Sequence, residues 1–111
     1  MTPEPDVFAA LADPTRRTVL EEVATRGSAT ATELAVPLGI TRQAVAKHLV
    51  VLADAGLADG RRAGRETRYR PTPAPMSEAI SWMAEVGSRW DVRLAALDRQ
   101  VARRREERAG P

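Results

Sequence analysis

The stretch Thr30-Ala-Thr-Glu33-Leu-Ala-Val-Pro37-Leu-Gly39-Ile-Thr41-Arg-Gln-Ala-Val-Ala-Lys-His48-Leu-Val-Val-Leu52-Ala-Asp-Ala-Gly56 decides the fold. Its opening four residues read as a capping box, in which the Thr30 hydroxyl accepts the Glu33 amide and the Glu33 carboxylate reaches back to the Thr30 amide. The helix so begun holds Leu34 and Leu38 and stops at Gly39. Pro37 lacks an N–H and crowds the preceding turn, so this helix is expected to end or kink before Leu38. Thr41 caps a second helix running to about Ala55, with Val45, Leu49 and Leu52 spaced toward a core and Gly56 as its stop. Two helices joined by a short glycine-containing turn make a helix-turn-helix.

Outward from this pair, Val7, Phe8 and Leu11 form a short apolar stripe that ends at Asp13-Pro14. Asp13 reads as an N-cap and Pro14 as the first residue of a helix that buries Val19, Leu20 and Val23 and stops at Gly27. Beyond Gly56, Leu57–Arg62 and Thr67–Arg70 read as a hairpin turning near Gly64, ended by Pro71, Pro73 and Pro75. From about Met76 a long helix carries Met83, Val86, Trp90, Leu94, Leu97 and Val101 at spacings of three and four. The expected architecture is mostly α with a small β-hairpin: a winged helix-turn-helix of five helices plus wing. Residues 1–105 make one domain, and the polar end, 106–111, is a frayed tail.

The chain has 111 residues, no cysteine, one histidine and four aromatic side chains. One aliphatic core is all that length supports, and disulfides, thiolate metal sites and cysteine nucleophiles are excluded. No apolar run approaches the roughly 18 residues of a membrane span, and the start, MTPEPDVF, lacks the features of a signal peptide, so a cytoplasmic location away from membranes is expected. His48 is the sole histidine, carboxylates such as Glu78, Glu85, Asp91 and Asp98 are scattered on one polar helix face, and neither a Walker pattern nor GxGxxG occurs. An enzyme is therefore the weakest functional class. The net charge of +2 conceals a basic centre: residues 41–70 hold seven Arg or Lys against three Asp or Glu. Such a block points to a polyanionic partner.

With Val45, Leu49 and Leu52 turned inward, Arg42, Gln43, Ala46 and Lys47 lie on the other side of the second helix of the pair, near its start. Arginine pairs bidentately with guanine, glutamine with adenine, and lysine with phosphate or guanine, while Thr41 can join the helix N-terminus on a phosphate. The hairpin adds Arg61, Arg62, Arg65, Arg68 and Arg70, with Arg68 and Arg70 on one face and Arg65 at the turn reaching toward a backbone or minor groove. Tyr69 is expected to pack inward, and His48, beside Ala44 and Val51, to serve packing or a hydrogen bond. The competing reading is a basic face for an acidic protein, or a hairpin whose arginines only deter edge pairing. Arg16 and Arg17 stand in a first helical turn, where the dipole disfavours cations. An ion pair to Glu21, a phosphate contact and a bridge between helices are each open for them.

The segments Phe8-Ala-Ala-Leu11-Ala-Asp13-Pro14-Thr-Arg16-Arg17, Thr32-Glu33-Leu34-Ala35, Ile40-Thr41-Arg42-Gln43-Ala44-Val45-Ala46-Lys47-His48-Leu49 and Leu52-Ala-Asp-Ala-Gly56-Leu57 resemble the ArsR/SmtB family of bacterial transcriptional repressors, over about residues 7 to 70. The resemblance implies a homodimer that binds an inverted-repeat DNA operator and releases it to an effector, here unidentified. Metal sensors of the family carry Glu-Leu-Cys-Val where this chain has Glu33-Leu34-Ala35-Val36, or acid and histidine ligands on the last helix, and no histidine follows His48. No metal and no cofactor are therefore expected. The apolar stripe of the last helix exceeds what a small monomer can cover, which makes Val86, Trp90, Leu94 and Leu97, with Phe8 and Leu11 beside them, the expected dimer face.

Overall fold

Asp13 sets where the longest of the N-terminal helices begins. In the computed structural model, which describes residues 5–109, the Asp13 carboxylate accepts the Arg16 amide at 3.1 Å. It thereby separates α1 (Pro5–Leu11) from α2 (Pro14–Arg26). The Arg16 guanidinium donates from Nη1 to the carbonyls of Ala9 (3.4 Å) and Ala10 (3.2 Å), and that of Arg17 to Leu11 (2.6 Å). Both cations thus satisfy carbonyls at the end of α1, where the helix dipole is negative. The bridge between helices is the alternative realised.

Next come β1 (Ala29–Thr30), α3 (Ala31–Leu38) and α4 (Arg42–Asp54). The Thr30–Glu33 capping box forms with both bonds present, and Thr41 Oγ1 accepts the Ala44 amide at 3.1 Å. The expectation that α3 would end or kink before Leu38 is corrected, since Leu38 is its last helical residue. Pro37 lacks the N–H that would bond the Glu33 carbonyl four residues back, so α3 forgoes one helical bond and still runs one residue past the proline. Beyond it Gly39, at φ 67°, donates to Val36 at 3.1 Å and Ile40 to Ala35 at 3.2 Å, closing two of the last four carbonyls. Gly56 and Leu57 end α4 in the same way, donating to Ala53 and Leu52 at 2.9 Å each.

Then β2 (Ala58–Ala63) and β3 (Glu66–Pro71) pair antiparallel around Gly64 as the wing. The sheet has three strands in the order β1-β3-β2, with Ala29 opposite Tyr69 and Thr30 opposite Arg68. The sequence pattern gives no sign of β1, because two residues are too few for an alternation. A last helix, α5 (Pro73–Ala109), starts three residues before the expected Met76. Prolines are tolerated in a first turn because no N–H there has a helical partner.

Residues 1–79 form one unit and residues 80–111 another. In the first, Val7, Val19, Val23, Leu34, Val45, Leu49, Leu52 and Leu57 are fully buried, with Phe8, Leu11, Tyr69 and Met76 packed partly against them. The core is aliphatic, as the scarcity of aromatics requires. In the second, helix persists through the arginine- and glutamate-rich end to Ala109. Both residue types are strong helix formers; Gly110 and Pro111 lie outside the described residues. Ile80, Met83, Trp90, Leu94, Leu97 and Val101 of this unit are 46–58% exposed, and Val86 is half-buried. Among the described residues no helix is long and apolar enough to cross a membrane.

Candidate nucleic-acid interface

The outward face of α4 follows from its buried one. Val45, Leu49 and Leu52 have no exposed surface, and at 100° per residue the direction opposite them is occupied by Gln43 and Lys47. A second stripe, Arg42, Ala46 and Val50, lies beside it at four-residue spacing. Arg42, Gln43, Lys47 and Val50 are exposed, and Ala46 is half-buried.

The wing meets this second stripe. A cleft of about 160 Å³ has Arg42 and Ala46 on one side, Arg62 and Arg65 on the other, and Val50 and Tyr69 among its lining. Four of the expected DNA contacts are thereby brought together by two elements. Tyr69 packs partly into the core, as expected. Arg61 and Arg70 are exposed on the wing but do not line the cleft, and Arg61 is paired with Asp59 at 3.3 Å. Among the described residues Arg42, Lys47, Arg62, Arg65 and Arg70 make no intramolecular ion pair. All five are exposed, and the Glu66 side chain lines the same cleft as Arg42, Arg62 and Arg65.

Arg68 is placed differently from the other wing arginines. It donates from Nη1 to Ser28 Oγ at 3.2 Å and pairs through Nη2 with Glu33 Oε1 at 3.0 Å. The same Glu33 oxygen accepts the Thr30 amide at 2.9 Å. The Thr30 amide first, and the Arg68 charge after it, hold the Glu33 carboxyl below its ordinary pKa. Asp13 is lowered likewise, chiefly by the Arg16 amide, with the Thr15 amide adding to the effect, and His48 is half-buried in α4. A further bond runs from the Thr32 hydroxyl to the Glu66 carboxylate. Sequence reasoning took Glu33 as a cap alone and gave Ser28, Thr32 and Glu66 no role. The missing signal was β1, whose pairing with β3 sets Thr30 across from Arg68.

Thr41 is exposed at the start of α4, with its oxygen engaged by the Ala44 amide and its hydroxyl hydrogen still available to a phosphate. Phe8 and Leu11 are half-buried against the core of the first unit. Among the described residues no three His, Cys, Asp or Glu side chains gather into a metal-holding group.

Residues 11–61 match a helix-turn-helix domain family. The HTH-type transcriptional regulator YuzN of Bacillus subtilis is 48% identical over 65 residues, spanning 53% of this chain and 71% of that protein. The transcriptional repressor SdpR of the same organism is 31% identical over 78 residues, 70% of this chain and 86% of that one. An ArsR-like transcriptional regulator from Rhodococcus sp. RHA1 has a solved structure that superposes with a TM-score of 0.72 at 41% identity, covering 85% of this chain and 88% of that chain. These relatives are transcriptional regulators and not enzymes. With its winged helix-turn-helix fold, its matching domain and these relatives, the chain belongs to the ArsR family of DNA-binding transcriptional regulators.

Proposed function

We propose that the protein is a homodimeric repressor that binds an inverted-repeat operator, with α4 in the major groove and the wing on the flanking backbone or minor groove. The observation that carries this reading is the adjacency of the outward Gln43 and Lys47 stripe to the cleft where Arg42 faces Arg62 and Arg65. Gln43, Lys47 and Arg42 would read base edges, and Thr41, Arg62 and Arg65 would hold phosphates. Similarity to a protein named as a repressor supports the sign of the regulation. Bound at a promoter in the cytoplasm, such a dimer excludes polymerase sterically.

The dimer rests on α5. Trp90 is 58% exposed, Leu94 51% and Leu97 55%, and burying each such side chain is worth about 1.5–3 kcal/mol. Two copies joined along this stripe, with Val86 in it, would present two α4 helices about 34 Å apart, one turn of DNA.

Fluorescence anisotropy tests the reading with two labelled duplexes, one from upstream of the protein's own gene and one scrambled, each at several salt concentrations. A preference for the native duplex of about a thousandfold is expected, with affinity falling steeply as salt rises. Weak, equal binding that salt does not alter would overturn it and leave the basic face to an acidic protein.

A further inference from the structure

Two acids sit inside the most basic part of the molecule, and neither is left free. Glu33, in the first turn of α3, joins its own capping box to Arg68 through one oxygen, Oε1. Glu66, the first residue of β3, is bonded to the Thr32 hydroxyl, also in the first turn of α3. The N-terminal turn of α3 therefore grips β3 at two points, two residues apart. The outer one adjoins the turn, since Glu66 pairs with Ala63 across it and only Gly64 and Arg65 lie beyond. The base of the hairpin is held by β1 and by Ala58 and Tyr69 packed in the core, whereas these two bonds hold β3 farther out, toward the turn.

We infer that Glu33 and Arg68 are positioning residues: their ion pair, anchored by the α3 capping box and Ser28, sets the angle of the wing and so holds Arg62 and Arg65 at the distance from α4 that a DNA backbone requires. The inference rests on the DNA-binding reading above and takes Arg68 out of the set of direct DNA contacts. The chemistry favours this role over a bystander one. A carboxylate beside a phosphate-binding cleft repels DNA, so on charge alone its removal should tighten binding. A positioning carboxylate has the opposite effect, because removing it lets the wing arginines drift from their phosphates.

The sign of the Glu33→Gln effect is therefore the test. Glutamine keeps an oxygen for the Thr30 amide and loses only the charge, and a thermal melt confirms that the variant is folded. Using the same two duplexes, Glu33→Gln is expected to bind the native one about three- to tenfold more weakly. Its slope of log affinity against log salt should be shallower by about one phosphate or more. In a background already carrying Arg62→Ala and Arg65→Ala, adding Glu33→Gln should change little. Thr32→Val, which alters no charge and releases the other grip, should weaken binding in the same non-additive way. Unchanged or tighter binding by Glu33→Gln, or a loss that adds in full to the wing substitutions, would overturn the inference. If the wild-type protein binds neither duplex even at low salt, it is the DNA reading that fails. Hydrogen exchange then decides the grip: faster exchange of wing amides in Glu33→Gln supports it, and unchanged exchange rejects it.

Discussion

Gly60 lies directly across the hairpin from Tyr69, and a Cβ built on Gly60 would come within 2.8 Å of the Tyr69 ring. The same atom would stand 3.0 Å from Thr67 Cγ2. The tyrosine ring can come this close to the backbone of β2 only because that backbone carries no side chain there. Gly60→Ala is expected to destabilise the protein by about 1–3 kcal/mol through overpacking, read as a lower urea midpoint. Combining it with Tyr69→Leu should recover part of the loss. An unchanged midpoint would mean that the ring has room to move aside.

Base reading and backbone holding should separate by position. Arg42→Ala or Gln43→Ala should lose about 1–3 kcal/mol on the native duplex and far less on the scrambled one. Arg65→Ala, at the wing tip, should weaken both nearly equally and reduce the salt slope by about one. Titrations of the three variants against both duplexes check this; equal losses everywhere would contradict the division.

The α1–α2 elbow depends on Arg16. It binds two carbonyls of α1 while its Nε is buried without a hydrogen-bond partner among the described residues, so its net contribution is modest. Arg16→Met should cost about 1–2 kcal/mol, and Arg17→Ala less, because its bond to Leu11 is exposed. Hydrogen exchange should show α1 loosening first in Arg16→Met, before the α2–α4 core.

Acid should act on two caps. The carboxyls of Asp13 and Glu33 both hold their protons less tightly in the fold than in the unfolded chain. A group with a lowered native pKa stabilises the fold above its unfolded pKa, and that stability is lost as the pH falls through the native value. Thermal stability should therefore be flat above about pH 5 and decline below about pH 4. Glu33→Gln should flatten part of the decline, as melting curves across that range would show.

Leu94→Asp probes the dimer. Leu94 is 51% exposed on α5, so a charge there is tolerated in a free helix and repelled at a two-fold interface, where it would sit near its own copy. Sedimentation should find the wild type at twice the chain mass and the variant at the chain mass, with operator affinity falling in parallel. A wild type that stays monomeric at high concentration would remove the dimer.

The parts of this fold that local chemistry decides are legible in the sequence. Asp13, Thr30 and Thr41 each cap a helix through an amide three residues ahead, so the capping residue and its partner stand in one short window. Gln43 and Lys47 are legible for a similar reason, since the spacing of Val45, Leu49 and Leu52 leaves them one direction to point. What a window cannot hold is pairing over distance. Ala29 and Thr30 are a strand only because Tyr69 and Arg68 arrive beside them, and Arg68 cannot be told from its neighbouring arginines until Glu33 and Ser28 are near. The cleft between Arg42 and Arg65 is hidden likewise, because it exists only once the hairpin folds back toward α4. Pro37 misled in the other direction: a proline in a helix is a cost in free energy and not a prohibition, and α3 runs past the residue that carries it.

The distance between β1 and its partner also orders events in time. The α2–α4 core is built from residues close in sequence, whereas closing β1 on β3 joins positions some forty residues apart. Contacts of such separation form late because the loop between them must be closed first. The helical body can therefore assemble before Tyr69 and Arg68 close on β1, with Glu33 already capping α3. α4 is then in place before the wing is locked, and the final strand closes onto a helix that has been waiting for it.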